Sequence, residues 1–300
     1  MNIKNYQLKN NIYIWCSDYN PNSGEGILAN KFVNDLKNYN KNYKYKIIKP
    51  KTKIFKYLRI FFGKNVDRLI IPLFGVFYLW YIYLTKKNEK ISYVNYLPLW
   101  NFIIFFLLPP NTILGPITGG SKYLKRPYIN YFIRKYIFKL FYKLSIFLIS
   151  FRYKKILFAT NLLEKEKIKV NKLYFNYVLK DIKFKKKKTK KIYDLIFYLR
   201  SHSNKNKKYQ IYLANNLAQK FRIITIGEKI NNKLIKNYGY VSRKKVHSIL
   251  EKTKFAYISD ENLYSFFALD CFTNGTYLLH RHSEKQNLFI GNNFYMKNYQ

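Results

Sequence analysis

Apolar and polar positions repeat along this chain with two different periods. Asn11 to Ser17, NIYIWCS, is a short apolar run rich in β-formers and predicts a strand. DYNPNSGEG behind it is dense in turn residues, and ILANKFVNDLKNY then spaces Ile27, Phe32 and Leu36 near helical intervals. The unit recurs: ISYVNYLP predicts a strand, LWNFIIFFLL a helix, TILGPITGG a strand with a glycine turn, and KILFAT a further strand. Past residue 191 the alternation restarts. YDLIFYLRS, RIITIG, FAYIS and TYLLH read as strands, separated by the helical patterns YQIYLANNLAQKF, SRKKVHSILEKT and LYSFFALDCFTNG. Short strands alternating with helices predict mostly parallel α/β sheets.

Between the two series lies KFKKKKTKK, with seven lysines in nine residues. Like charges repel and no apolar face exists there, so the run is solvated. It predicts a link between two α/β domains, 1–182 and 183–300, and 300 residues suffice for two ordinary cores. The alternative is one large domain carrying a basic surface loop.

Two long apolar stretches interrupt the pattern. Leu69 to Leu84, LIIPLFGVFYLWYIYL, falls short of the ~20 residues a spanning helix needs and contains Pro72 and Gly75. It predicts a buried or interfacial helix. In YINYFIRKYIFKLFYKLSIFLISFRYKK, Ile129, Phe132, Ile133, Ile137, Leu140, Leu144, Phe147 and Leu148 recur at helical spacing, with Lys135, Lys139 and Lys143 in a separate row. That is a basic amphipathic helix, suited either to a membrane interface or to a core with a charged outer face.

Composition narrows the partners. Fifty-six Lys and Arg against 15 Asp and Glu give a formal charge of +41, which draws polyanions: nucleic acid, anionic lipid or phosphorylated substrates. The joint abundance of Lys, Asn, Ile, Tyr and Phe also follows from AT-rich codons, so charge alone decides little. Cys16 and Cys271 are the only cysteines and lack metal-ligand spacing, which excludes a disulfide framework and fits a reducing compartment. MNIKNYQLKNNIYIW has no continuous apolar core of a secretory signal.

In open α/β sheets, ligands bind where strands end and loops enter helices. Gly24-Glu25-Gly26 lies at such an end, and G-E-G-I-L-A satisfies the dinucleotide fingerprint. The acid that fingerprint wants about 20 residues on is missing, because KYKIIKPKTK is basic there. After DLIFYL come Arg200 and then Lys205, Lys207 and Lys208 within a polar loop, HSNKNKK, and a basic pair at a strand's carboxyl end suits a diphosphate. Asp270 is an acid inside an otherwise apolar helix, suited to accept hydrogen bonds from ribose hydroxyls. Glu261 either binds a second sugar or complements the helix dipole.

The order of these features resembles the GT-B glycosyltransferases, particularly the family 4 type that uses nucleotide-sugar donors. NSGEG looks like their glycine loop after the first strand, and LRSHSNKNKK like their second-domain strand ending in Arg and followed by Lys. ENLYSFFALDCFTNG is similar to E-G-F-G-L-P-x-x-E-A-x-x-x-G, with Asp270 at the second acid and the first falling one residue from Glu261. TILGPITGG resembles their G-P-x-G-G loop, at Gly119 and Gly120, and YGYVSRKKVHSIL their glycine strand and helix. The resemblance implies two Rossmann-like domains facing a cleft, an acceptor side at 1–182 and a donor side at 183–300. It implies that Asp270 holds the donor ribose, that Asp260 or Glu261 lies near the transferred sugar, and that Arg200 and Lys205 hold the diphosphate. Neither a metal nor a cofactor is implied, since the nucleotide sugar is a substrate. Asp18 and Glu25 are the first-domain acids best placed for a base, unless the enzyme is a retaining one that needs no protein base. The expected setting is the cytoplasmic side, peripheral on an anionic membrane, with a glycan or lipid-linked acceptor in cell-surface polysaccharide synthesis.

Two other classes compete. A nicotinamide-dependent oxidoreductase would use Gly24 and Gly26 but lacks the ribose acid. A basic nucleic-acid-binding protein would use phosphate neutralisation and aromatic stacking, yet no helix-turn-helix, RNP or zinc-finger pattern is present.

Overall fold

The computed structural model describes residues 10–21, 23–39, 41–50, 52–63, 66, 70–94, 97–118, 132–153, 155–159, 172–174, 177, 189–200, 207–258 and 265–280. The chain divides into two compact units, Met1–Val178 and Leu179–Gln300. Both are mixed α/β structures with parallel sheets, the class that the alternation predicts.

In the first unit, β1 (Asn11–Trp15), β2 (Lys44–Ile48), β3 (Lys90–Tyr93) and β4 (Ile113–Leu114) form a sheet in the order β2-β1-β3-β4, every pairing parallel. Single parallel bridges, Pro98 to Thr118 and Ile117 to Phe158, lead on to β5 (Lys155–Leu157), which pairs with β6 (Lys172–Tyr174). The helices are α1 (Gly24–Tyr39), α2 (Thr52–Phe62), α3 (Ile71–Thr85), α4 (Phe102–Leu107) and α5 (Phe138–Arg152), the last entered through a π-helical turn at Ile133–Ile137.

Crossovers between parallel strands are right-handed. The chain moves one way along the sheet from β1 to β2 and the other way from β2 to β3, so α1 covers one face and α2 to α5 the opposite face. The packing agrees: one cluster joins Tyr13, Trp15 and Tyr93 to Phe55 of α2, Leu79 of α3, Phe105 of α4 and Ile149 of α5. Ile12 and Ile14 alternate to the other face and are equally buried. A strand covered on both sides reads as a continuous apolar run, as NIYIWCS does.

Of the Leu69 to Leu84 stretch, Ile71 to Leu84 lie in α3. Pro72 sits in its first turn, where the missing N–H costs nothing. Gly75 lets the helix lie directly on Trp15: a Cβ there would come 2.1 Å from the indole Nε1. Among the described residues no helix is long and apolar enough to cross a membrane. Arg152, at the end of α5, donates to the carbonyls of Phe105 at 2.7 Å and Leu108 at 2.5 Å, capping α4 and fixing α5 against it.

The second unit holds β7 (Tyr193–Leu199), β8 (Ile223–Gly227), β9 (Lys236–Asn237), β10 (Thr253–Ile258) and β11 (Tyr277–His280), ordered β11-β10-β7-β8-β9 and all parallel. Its helices are α6 (Lys207–Leu217), α7 (Arg243–Glu251) and α8 (Phe266–Thr273). Leu195, Phe197 and Leu199 of β7 pack with Ala214 of α6, whereas Ile196 packs with Ile249 of α7 and Phe267 of α8. The period-two alternation of β7 therefore fills two cores, one on each face of the sheet.

Gly227 closes β8 at φ 90, and a Cβ there would lie 2.0 Å from the Leu199 carbonyl oxygen. Gly227→Ala combines a left-handed backbone with a backbone clash, so a loss of about 3 kcal/mol is expected in urea unfolding. An unchanged midpoint would contradict this account of the β7–β8 junction.

Candidate functional site

In each unit the strand order reverses at a switch point, the place where doubly wound sheets bind ligands. In the second unit that point lies between β7 and β10, whose carboxyl ends are followed by Arg200 and by the N-terminus of α8. Two sets of contacts meet α8 there. The Arg200 guanidinium lies 5.6 Å from the Tyr198 ring, and Tyr198 meets Phe267 of α8 with centroids 4.9 Å apart. Beside Phe267, the Phe266 ring lies 5.5 Å from the guanidinium of Arg243. Arg243 in turn grips Asp270 with both arms, Nη2 to Oδ1 at 2.6 Å and Nε to Oδ2 at 3.2 Å.

Helix caps position this set. Ser242 caps α7 by accepting from the Lys245 N–H, which puts Arg243 in the first helical turn. Ser265 caps α8 through the Ala268 N–H, so Asp270 falls one turn in, facing α7. The Asp270 residue is 5% exposed. His247, one turn along α7 from Arg243, brings Nε2 to 3.4 Å from Asp270 Oδ1. The Asn274 amide Nδ2 lies 2.7 Å from His247 Nδ1 and also donates to the Asp270 backbone carbonyl.

This cluster gives Asp270 partners that the spacing of single residues does not reveal. Arg243 was missed in the sequence, although a Ser cap followed by a basic run, S-R-K-K, marks a helix start that carries a cation. Lys207, read as part of a polar loop, is the first residue of α6 and pairs with Glu228. Lys205, Asp260, Glu261, His202 and His282 lie outside the described residues, as do Gly119 and Gly120.

In the first unit the switch point lies between β1 and β3. Gly24 and Gly26, expected in a loop, form the first turn of α1 instead. The reason is a cap: the Ser23 hydroxyl accepts from the Gly26 N–H at 2.9 Å and donates to Asp18, whose other oxygen accepts from the Asn20 N–H at 2.9 Å. Gly26 is required by crowding, since a Cβ there would sit 2.1 Å from the Asn20 carbonyl oxygen. Glu25 follows in the same turn. The residue as a whole is exposed, yet its carboxyl is crowded by protein atoms; that burial, reinforced by the Asp18 charge, pushes it up to about 7. Cys16 at the end of β1 is buried, and its thiol is pushed up to about 12, mainly by burial and then by Asp18, so it is no nucleophile. After β2 comes Lys49, whose ammonium lies 4.9 Å from the Tyr19 ring.

Within the stretch read as a basic amphipathic helix, Ile133–Ile137 form the π turn and Phe138–Arg152 form α5. Phe132, Ile137, Leu140, Leu144 and Phe147 of its apolar stripe are exposed, while Ser145 and Ile149 face the core.

No protein-family model and no curated protein matches the sequence. Among solved structures, the chain is similar to an alpha-glucosyltransferase in complex with UDP-glucose and DNA containing an abasic site, at 9% identity over 90% of this chain and 79% of that one, with a TM-score of 0.44. It is similar to Anabaena Alr3699/HepE in complex with UDP and glucose, at 10% identity over 93% and 87%, TM-score 0.45. A third likeness is to the E. coli heptosyltransferase WaaC with ADP-2-deoxy-2-fluoro heptose, at 9% identity over 92% and 91%, TM-score 0.33.

Proposed function

We propose that the chain transfers a sugar from a nucleotide-diphosphate sugar to a glycan or lipid-linked acceptor. The observation that carries this reading is a pair of contact sets on α8 at the switch point of the second unit: Arg200 with Tyr198 against Phe267, and Arg243 with Asp270 and Phe266. Two guanidiniums and a capped helix start suit a diphosphate, because both supply donors to anionic oxygens. Asp270 keeps acceptor capacity beyond its two bonds to Arg243, since a carboxylate has about four lone-pair sites. That capacity supports the ribose role, with Lys205 and Glu261 as the further donor-binding residues proposed from the sequence.

In the reaction, the acceptor hydroxyl oxygen bonds to the anomeric carbon while the bond from that carbon to the phosphate oxygen breaks. The nucleoside diphosphate leaves with the electron pair, and Arg200 and Arg243 stabilise the charge that develops on it. These fixed cations supply the role a metal plays elsewhere, so the transfer is proposed to be metal-independent. The acceptor proton goes to a base, for which Glu25 is the first choice: a carboxyl near 7 takes a proton efficiently at neutral pH. Asp18 then acts on Glu25 by charge and by holding the Ser23 cap.

The exposed apolar stripe of α5 beside Lys139 and Lys143 supports peripheral contact with an anionic membrane on the cytoplasmic side, where a lipid-linked acceptor for cell-surface polysaccharide resides. A dinucleotide reading is weaker, because Lys49 rather than an acid follows β2.

A thermal-shift screen against UDP-, GDP- and ADP-sugars tests the proposal. A ligand at 100 times its Kd stabilises the native state by about 2.7 kcal/mol, so one nucleotide class is expected to raise Tm clearly. A rise with NAD and none with any nucleotide sugar would overturn it.

A further inference from the structure

The helix α2 has more apolar surface than its own unit covers. Along 53–62 only Phe55 is buried and Leu58 partly so, both against the core that holds α3. Ile54 is 61% exposed, Tyr57 68% and Phe61 81%. At 100° per residue these three span one continuous arc, bordered by the cationic row Lys53, Lys56 and Arg59, all exposed. The Phe55 ring meets Phe74 of α3 with centroids 5.6 Å apart, so α2 is fixed to the layer that also holds α5.

We infer that α2 is an interfacial helix that inserts Ile54, Tyr57 and Phe61 into the headgroup boundary of an anionic bilayer. This deepens the proposed peripheral membrane contact by naming a second helix, its inserting residues and the lipid charge it selects. The occupant follows from charge. Between Asp35 and Asp67 the sequence contains no acidic residue, so every charged side chain that α2 carries is a cation. A second copy of the same face would set like charges against one another, whereas anionic headgroups neutralise them. An apolar arc flanked by Lys and Arg on a short amphipathic helix is the arrangement that lies in a membrane plane. The α5 stripe, on the same face of the sheet, supplies a second contact, and two weak signals together hold where one is marginal.

The test uses the full chain and vesicles of phosphatidylcholine with or without phosphatidylglycerol. Binding is expected only when phosphatidylglycerol is present, and it should weaken with salt. Each cation near the surface contributes roughly fivefold, so Lys53→Gln with Lys56→Gln should lower affinity about 25-fold. Phe61→Trp should show a blue-shifted emission on anionic vesicles, because the new indole leaves water. Ile54→Ser with Tyr57→Ser alters only exposed positions, so the protein should keep its melting temperature while losing most vesicle binding.

Vesicle binding that persists with unshifted Phe61→Trp emission would overturn the inference. So would a halved mass in light scattering for Ile54→Ser with Tyr57→Ser, which would make the face a self-interface. Nucleotide-sugar binding, measured on the same variants without vesicles, is expected to be unchanged. Its absence in the unmodified protein would count against the glycosyl-transfer reading alone.

Discussion

Replacing Glu25 by Gln is expected to lower kcat by roughly 10²–10⁴-fold, the range that a positioned base contributes. The side chain keeps its shape and its place in the first turn of α1, and the loss would come from the missing proton acceptor. The pH profile makes the test specific. A base whose carboxyl titrates near 7 leaves the enzyme inactive on the acid side, with an inflection close to that value. Stability moves in the opposite sense. Because the folded carboxyl is raised, its contribution to stability is full below the unfolded value near 4.5 and is lost as pH rises through about 7. Glu25→Gln should therefore match the parent at pH 4.5 and melt higher than the parent at pH 8. Full activity in the Gln variant would move the base elsewhere, whatever the melting curves show.

The second large effect concerns Arg243 and Asp270. Their side chains are unequally exposed, 36% for Arg243 and 7% for Asp270. Arg243→Ala strands a buried carboxylate, so about 3 kcal/mol of stability should be lost in urea unfolding. Asp270→Asn strands a guanidinium that water reaches, and the stability loss should stay near 1 kcal/mol. Donor affinity should nonetheless fall ten- to hundredfold in the Asn variant, since the charge that strengthens the ribose bonds is gone. Arg243→Met combined with Asp270→Leu separates the roles. Exchanging an ion pair for apolar groups of similar volume is often neutral for stability, so a stable double variant that no longer binds a nucleotide sugar is expected. A stable double variant with parental donor affinity would make the pair a purely structural bridge.

Much of the architecture was legible in the chain. The runs NIYIWCS and YDLIFYLRS announce central strands because both faces of a parallel sheet are covered and leave no polar alternation. Other elements carry no such mark. β2, KYKII, is exposed to half-buried along its length, and its interspersed lysines leave no long apolar run to mark it. α2 is legible, since Ile54, Tyr57, Leu58 and Phe61 recur at helical spacing, but only the structure shows that most of its apolar residues fail to meet a core. The start of α1 was set three residues too late. A Ser cap braced by Asp18 and a glycine demanded by crowding fix that start, and neither contributes to apolar periodicity. Within the candidate site, Asp270 stood out as an acid in a basic chain. Arg243 did not, being one of 56 cations, and only its contact with Asp270 distinguishes it.

The all-parallel pairing also shapes how the chain emerges during synthesis. β1 finds its first partner at β2, with Ile12 opposite Tyr45, but its second edge waits for Lys90 of β3, some 45 residues later. At ribosomal rates of about 5–20 residues per second, that interval lasts roughly 2–9 s. Throughout it, the most apolar strand of the unit presents an open edge to solvent, the condition under which nascent chains aggregate or recruit chaperones. Slowing translation between β2 and β3 would lengthen that exposure, and soluble yield should fall without any change in the finished sequence.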